Sequence, residues 1–180
     1  MMQFCFPTIY WHFKIGKIDF SNLKDLCILT DEWDCLVKTS RSVDYDWNEF
    51  LSKIEPFISQ LPFKKSINLK FEVPWMNVYE KGGYQEAHHH MSGNNILSYC
   101  YFSNLPENSG KFLFLNDQYR NYCYNGLIEY LNPDDHVVEW APLNVEEGDL
   151  IVFPSFLIHQ STYHKSKEQR VTISGNVSLV

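Results

Sequence analysis

Hydrophobic positions along the chain follow two periods, and the change falls near residue 66. Before it, Trp47, Phe50, Leu51, Ile54, Phe57, Ile58 and Leu61 recur at the i, i+3, i+4, i+7 spacing of one helix face. Asp46 and Glu49 have the spacing of a capping box at its start. Pro56 lacks a backbone donor and costs about 3 kcal/mol in a helix interior, so a kink or restart is expected there. Ser21 is placed to cap a shorter helix through Leu23, Leu26 and Cys27, and the aromatic stretch from Phe4 to Ile15 reads as an edge strand. From Ser66 the period becomes two: Ile67, Leu69 and Phe71 alternate with Asn68, Lys70 and Glu72. Strands are also expected over 75–80, 96–102, 111–115, 137–141, 150–153, 157–163 and 171–180, with turns at Gly82-Gly83 and between Pro106 and Gly110. The polar, tyrosine-rich stretch from Asn116 to Pro133 has no period and is a lid or an insertion. Many short strands after an early helix predict a mainly β jelly-roll with N-terminal helices packed on it.

Composition narrows the class. At 180 residues the chain is expected to form one domain, with 1–65 as an N-terminal strand and helical support and 66–180 as the jelly-roll core carrying the site. A hydrophobic share of 44% with 16% aromatics excludes a disordered chain. A net charge of −7 argues against a nucleic-acid partner. No apolar run approaches the roughly 18 residues of a membrane span, and the first residues lack the basic start of a signal peptide. Five cysteines (Cys5, Cys27, Cys35, Cys100, Cys123), odd in number and without a C-x-x-C pair, read as reduced thiols, so a cytoplasmic location is expected.

The chemistry concentrates in two stretches. On an extended chain His88 and His90 point to one face and His89 to the other, with the first two Cα atoms roughly 6.6 Å apart. His159 follows about seventy positions later, after an apolar run. Two ligands on one strand and a third from a distant strand leave open positions opposite, as mononuclear non-haem iron requires. The triplet lies mid-chain between a turn and a strand, which separates it from a terminal tag. His12, His136 and His164 have no paired partner and read as structural or solvated. Glu86, two residues before His88, shares the ligand face on an extended chain. It either completes a two-histidine, one-carboxylate set or stands solvated beside the glycine turn, the second being preferred.

Arg170, one of three arginines, opens an alternating strand eleven positions after His159. Thr172 and Ser174 share its face, and Val171 and Ile173 take the other. Its planar fork suits a carboxylate ligand, the alternative being a strand-end salt bridge. Asn77 and Tyr79 share a strand face before the histidines, and Tyr101 offers a further hydroxyl; each is a candidate ligand-binding group or a locally satisfied polar residue.

Taken in order, Trp75 and Asn77, Lys81-Gly82-Gly83, His88 and His90, Leu97-Ser98 with Tyr101, Gly148-Asp149, Phe153-Pro154, His159 and Arg170 resemble the 2-oxoglutarate/Fe(II) oxygenase superfamily. Within it they are most similar to a small branch with an H-x-H motif. The likeness spans roughly 75–176. It implies a double-stranded β-helix and an Fe(II)- and 2-oxoglutarate-dependent dioxygenase that hydroxylates a further substrate while 2-oxoglutarate and O2 yield succinate. It implies His88, His90 and His159 as metal ligands, Arg170 with Thr172 on the cosubstrate's distal carboxylate, and Asn77, Tyr79 and Tyr101 as its hydrogen-bonding partners. His90 stands where the superfamily commonly has aspartate, so the third ligand is His90 or a carboxylate such as Glu86. The N-x-Y pair also resembles the nucleic-acid dealkylating branch, against which the acidic balance weighs. Two rivals stay open. Gly82, His88-x-His90, Gly148, Pro154 and His159 partly fit a cupin metal site that would not need Arg170, although Phe156 stands where that pattern has glycine. A non-catalytic jelly-roll binding domain is the other.

Overall fold

The computed structural model describes residues 8–29, 35–63, 67–124, 126–130 and 138–180. Cys5, His136 and the beginnings of the strands expected from Phe4 and Val137 lie outside these residues. Twelve strands follow in chain order: β1 (Trp11–Lys14), β2 (Ile28–Leu29), β3 (Val37–Thr39), β4 (Leu69–Phe71), β5 (Trp75–Tyr79), β6 (Gln85–His88), β7 (Asn95–Asn104), β8 (Phe112–Leu115), β9 (Trp140–Pro142), β10 (Asp149–Pro154), β11 (His159–Ser161) and β12 (Arg170–Leu179). Eight form a major sheet in the order β1-β10-β7-β12-β5-β3-β2, with β4 added beside β12. The other four form a minor sheet, β6-β11-β8-β9. Every pairing is antiparallel.

Strand alternation gives the major sheet two different faces. Met76 and Val78 of β5, Val171 and Ile173 of β12, and Leu150 and Val152 of β10 face the helices. The longest helix, α2 (Asn48–Ser59), buries Phe50, Ile54 and Ile58 against them, as the hydrophobic stripe predicts. On the other face Cys100, Phe102, Ile151 and Phe153 meet Phe112 and Phe114 of the minor sheet, so the two sheets pack face to face.

Local expectations at the helix ends need correcting. α2 runs through Pro56 without a restart. The bond that proline removes would have gone to the carbonyl of Ser52, and both residues are exposed, so water can satisfy that oxygen. No capping box forms: Trp47 is the N-cap residue, Asp46 accepts from the Asn48 amide at 2.9 Å, and Glu49 pairs with Lys53. Ser21 lies inside its short helix, α1 (Ser21–Lys24), and its amide donates to Asp19. The stretch after Asn116 contains two exposed helical turns, Tyr119–Tyr124 and Leu127–Glu129.

Ile54 is fully buried on α2 and Glu55 beside it is exposed. Ile54→Ala should lower unfolding stability by about 2–5 kcal/mol, and Glu55→Ala should stay within about 0.5 kcal/mol. Urea unfolding of the two variants checks the direction of the helix face.

Candidate metal centre

Pairing of β6 with β11 sets His88 directly opposite His159, and their rings lie 4.3 Å apart between centroids. His90 falls just beyond the end of β6. Its backbone amide donates to the carbonyl of Ser155 at 2.9 Å, and its ring stands 5.0 Å from His88 and 5.1 Å from His159. One ring nitrogen of each histidine lies within 4.8 Å of the others. His89 stays outside this group: it is exposed at the rim of the cavity that opens on these rings, and its Nδ1 accepts from the Met91 amide.

Two of the rings are oriented from behind. Nδ1–H of His88 donates to the carbonyl of Glu86 at 2.8 Å, and Nδ1–H of His159 donates to Leu157 at 2.9 Å. That tautomer leaves each Nε2 lone pair for a metal. His159 is stacked on Phe112 and set edge-on to Phe153, which fixes its plane. Burial, followed by the neighbouring imidazoles, pushes the pKa of His90 down to about 3 and that of His159 well below the usual value. Burial lowers His88 as well. Three neutral imidazoles with converging lone pairs are the donor set that a first-row divalent metal takes up without first losing protons.

A cavity of about 280 Å³ opens on these rings, and its walls include Asn77, Tyr79, Gln85, Ser161, Thr172 and Ser174. Thr172 pairs across the strands with Asn77, and Arg170 with Tyr79, so the four form a two-by-two patch on β5 and β12. Arg170 is 1% exposed. Its Nη1 donates to the carbonyl of Gly110 at 2.7 Å, its Nε has no partner, and it forms no ion pair among the described residues. The guanidinium lies 5.1 Å from the Tyr79 ring and is not itself in the cavity wall. Burial lowers its pKa from the ordinary arginine value. Asn77 donates to Ser174 at 3.4 Å, and its Oδ1 is buried without a partner. Burial raises the Tyr79 phenol to about 12, so it stays protonated and donates to Gln85 Oε1 at 3.0 Å.

Tyr101 is a correction. It faces the helices, packed on Phe20 and Phe50, and its hydroxyl donates to the Gly16 carbonyl while accepting from the Ile18 amide. Strand parity on β7 gives the inward position to Cys100 instead. Glu86 does not join the histidine group, nor is it solvated: it is half-buried in the cavity wall, with Oε2 buried and unpartnered. Sequence reasoning missed Gln85, which a register shift between His159 and Ser161 turns inward opposite Ser161. It also missed Arg41, whose guanidinium lies over the Trp75 ring at 4.2 Å on the cavity wall. His12 pairs with Asp149 and His164 with the Glu168 carbonyl, both away from the histidine group.

Two antiparallel sheets enclosing a three-imidazole cluster define the frame of a mononuclear metal protein of jelly-roll type. Residues 73–176 match the family described as "Putative 2OG-Fe(II) oxygenase", more than half of the chain, and the protein belongs to this family. Its metal and cosubstrate are accordingly Fe(II) and 2-oxoglutarate. No curated protein sequence matches the chain. Among solved structures, it is similar to a Pseudomonas putida prolyl-4-hydroxylase (TM-score 0.58, 11% identity, covering 95% of this chain and 92% of that one). It is also similar to HygX from Streptomyces hygroscopicus with nickel and 2-oxoglutarate bound (0.62, 8%, 95% and 83%). A third is the viral collagen prolyl hydroxylase of Paramecium Bursaria Chlorella virus-1 in its 2-oxoglutarate complex (0.58, 11%, 95% and 96%). At these identities the likeness shows the fold, a double-stranded β-helix. Among the described residues no helix is long and apolar enough to cross a membrane.

The lowered histidine pKa values have a consequence for the metal-free protein. Unfolded histidines take up protons near pH 6.5, whereas His90 in the fold does so only near 3. In that window the unfolded state binds more protons, so stability should fall as pH drops from about 7 to 5. Urea midpoints across that range measure the slope, and His90→Gln should make it shallower.

Proposed function

We propose that His88, His90 and His159 hold the Fe(II), and that Arg170 with Thr172, Asn77 and Tyr79 receives 2-oxoglutarate. The protein then hydroxylates a substrate presented at the mouth of the same cavity. The observation that carries this reading is Arg170, a buried guanidinium with an unpartnered Nε and no carboxylate among the described residues. Leaving a buried cation uncompensated is costly, and a bound dicarboxylate removes that cost.

Each side chain has a task in this reading. The three imidazoles present lone pairs and leave the opposite side of the metal open. Arg170 meets the distal carboxylate, with the Thr172 hydroxyl beside it; because the guanidinium is not in the cavity wall, a side-chain movement of Arg170 or Tyr79 has to open the way. The Asn77 amide can turn either its donor or its acceptor end to the ligand. The protonated Tyr79 phenol is a further donor. Phe112 and Phe153, packed on His159, keep water from the rings. Iron and 2-oxoglutarate supply the oxidising chemistry: O2 and 2-oxoglutarate become CO2 and succinate as one oxygen atom enters a substrate C–H bond. A cupin-type site has no use for Arg170, and among the described residues no glutamate joins the histidines. Cys27 and Cys100, buried as free thiols, support a reducing, cytoplasmic location, and the net charge of −7 supports a substrate other than nucleic acid. The continuous major sheet, which takes strands from both 1–65 and 66–180, supports a single domain.

His88→Ala or His159→Ala should abolish tight Fe(II) binding, whereas His89→Ala should leave it nearly intact. Metal content after dialysis distinguishes them, and equal loss at His89 would show that the wrong rings were chosen. Arg170→Ala should weaken 2-oxoglutarate by about thirty-fold or more with little change in iron binding, because losing one partner of a desolvated charge pair costs about 2–5 kcal/mol. Arg170→Lys should not restore full affinity, since a point charge cannot reproduce the fork. Anaerobic titration of the Fe(II) protein, followed through the visible band of the chelate, measures both. A wild type that binds no 2-oxoglutarate, or an alanine variant that binds as well, ends the cosubstrate assignment.

A further inference from the structure

Glu86 poses a problem that neither the metal nor the cosubstrate solves. Its backbone carbonyl is engaged, accepting from His88 Nδ1–H, but its side chain is not part of the histidine group. Glu86 is one of the residues that line the cavity, and its Oε2 is buried without a hydrogen-bond partner among the described residues. No ion pair among the described residues includes it. Arg41, on the same wall, lies over the Trp75 ring instead. A buried carboxylate oxygen with no donor is costly, so a complete site brings one. 2-Oxoglutarate is a dianion with acceptors only, and O2 donates nothing. The reactant left to meet Glu86 is the substrate.

We infer that Glu86 recognises a cationic nitrogen, an amine or a guanidinium, on the substrate. This rests on the assignment of the cavity to Fe(II) and 2-oxoglutarate. Two further features agree with it. The cavity, about 280 Å³, is at the small end for ligand sites, so beside 2-oxoglutarate it admits a slender arm rather than a bulky ring system. A chain of net charge −7 attracts cations to its surface and raises their local concentration. The cationic arm belongs either to a peptide side chain or to a free small amine.

The test is calorimetric titration of the anaerobic Fe(II)·2-oxoglutarate protein, and of the metal-free protein in parallel. One arm uses Ac-Gly-Lys-Gly-amide against its norleucine and glutamate counterparts; the other uses 1,5-diaminopentane against 1,5-pentanediol. In at least one arm the cationic probe should bind about tenfold or more tightly than its neutral counterpart, and the responding arm identifies the source. Glu86→Gln, which keeps shape and removes charge, should abolish that preference while iron content and 2-oxoglutarate affinity stay at wild-type levels. Equal binding of cationic and neutral probes, tighter binding of the glutamate peptide, no binding of either cation, or a preference that survives in Glu86→Gln overturns the inference. Failure of the wild type to take up iron or 2-oxoglutarate counts against the underlying assignment instead, and the metal-free titrations still decide the role of Glu86.

Discussion

The antiparallel pairing that sets His88 against His159 is the constraint on which the site depends. The two residues are far apart in sequence, and neither strand is long. β6 and β11 are held in register by β8 on the far side of β11, and β8 is fixed by Phe112 and Phe114 packing against the major sheet. Apolar contact between the sheets therefore decides where two imidazoles meet. Once they meet, the backbone carbonyls of Glu86 and Leu157 orient the rings, and the Ser155 carbonyl ties His90 into the same group. A scaffold that sets the three rings in advance would keep the ordering cost out of metal binding at this group.

Much of this was legible from alternation. The split of β12 into Arg170, Thr172 and Ser174 on one face and Val171 and Ile173 on the other follows from a period of two, and so does the separation of His89 from the other three rings. The stripe on α2 was equally plain, because Phe50, Ile54 and Ile58 had one apolar surface to meet. What failed depended on register or on distant partners. A register shift is invisible in a single strand's pattern, yet one puts Gln85 and Glu86 both on the cavity. Tyr101 matched a motif by position, but its hydroxyl was claimed by the backbone of Gly16 and Ile18, over eighty positions away. Pro56 was tolerated because the carbonyl it deprived was already in water.

The helices matter to the chemistry through the sheet they stabilise. β5 and β12 each bury an apolar row on the helix side of the sheet, which frees their opposite rows to carry polar groups. Asn77, Tyr79, Arg170 and Thr172 sit on those opposite rows, where the unpartnered Asn77 Oδ1 and Arg170 Nε are costly unless a ligand completes their hydrogen bonds. The apolar face thus offsets a deliberately unsatisfied polar one, as expected where function rather than packing chose the residues.

Unsatisfied groups of opposite sign on one structure imply more than one visitor. Among the described residues Arg170 has no anion and Glu86 Oε2 has no donor, yet they do not neutralise each other: one opens β12 on the major sheet and the other lies on β6 in the minor sheet. A dicarboxylate answers the first and leaves the second untouched. With three imidazoles facing the same cavity, the proposed roles order the ligands by charge: an anionic cosubstrate against the major sheet, a cationic group against β6, and the metal at the histidines. In that reading each charged ligand has its own recognition point, Arg170 on β12 for the anion and Glu86 on β6 for the cation.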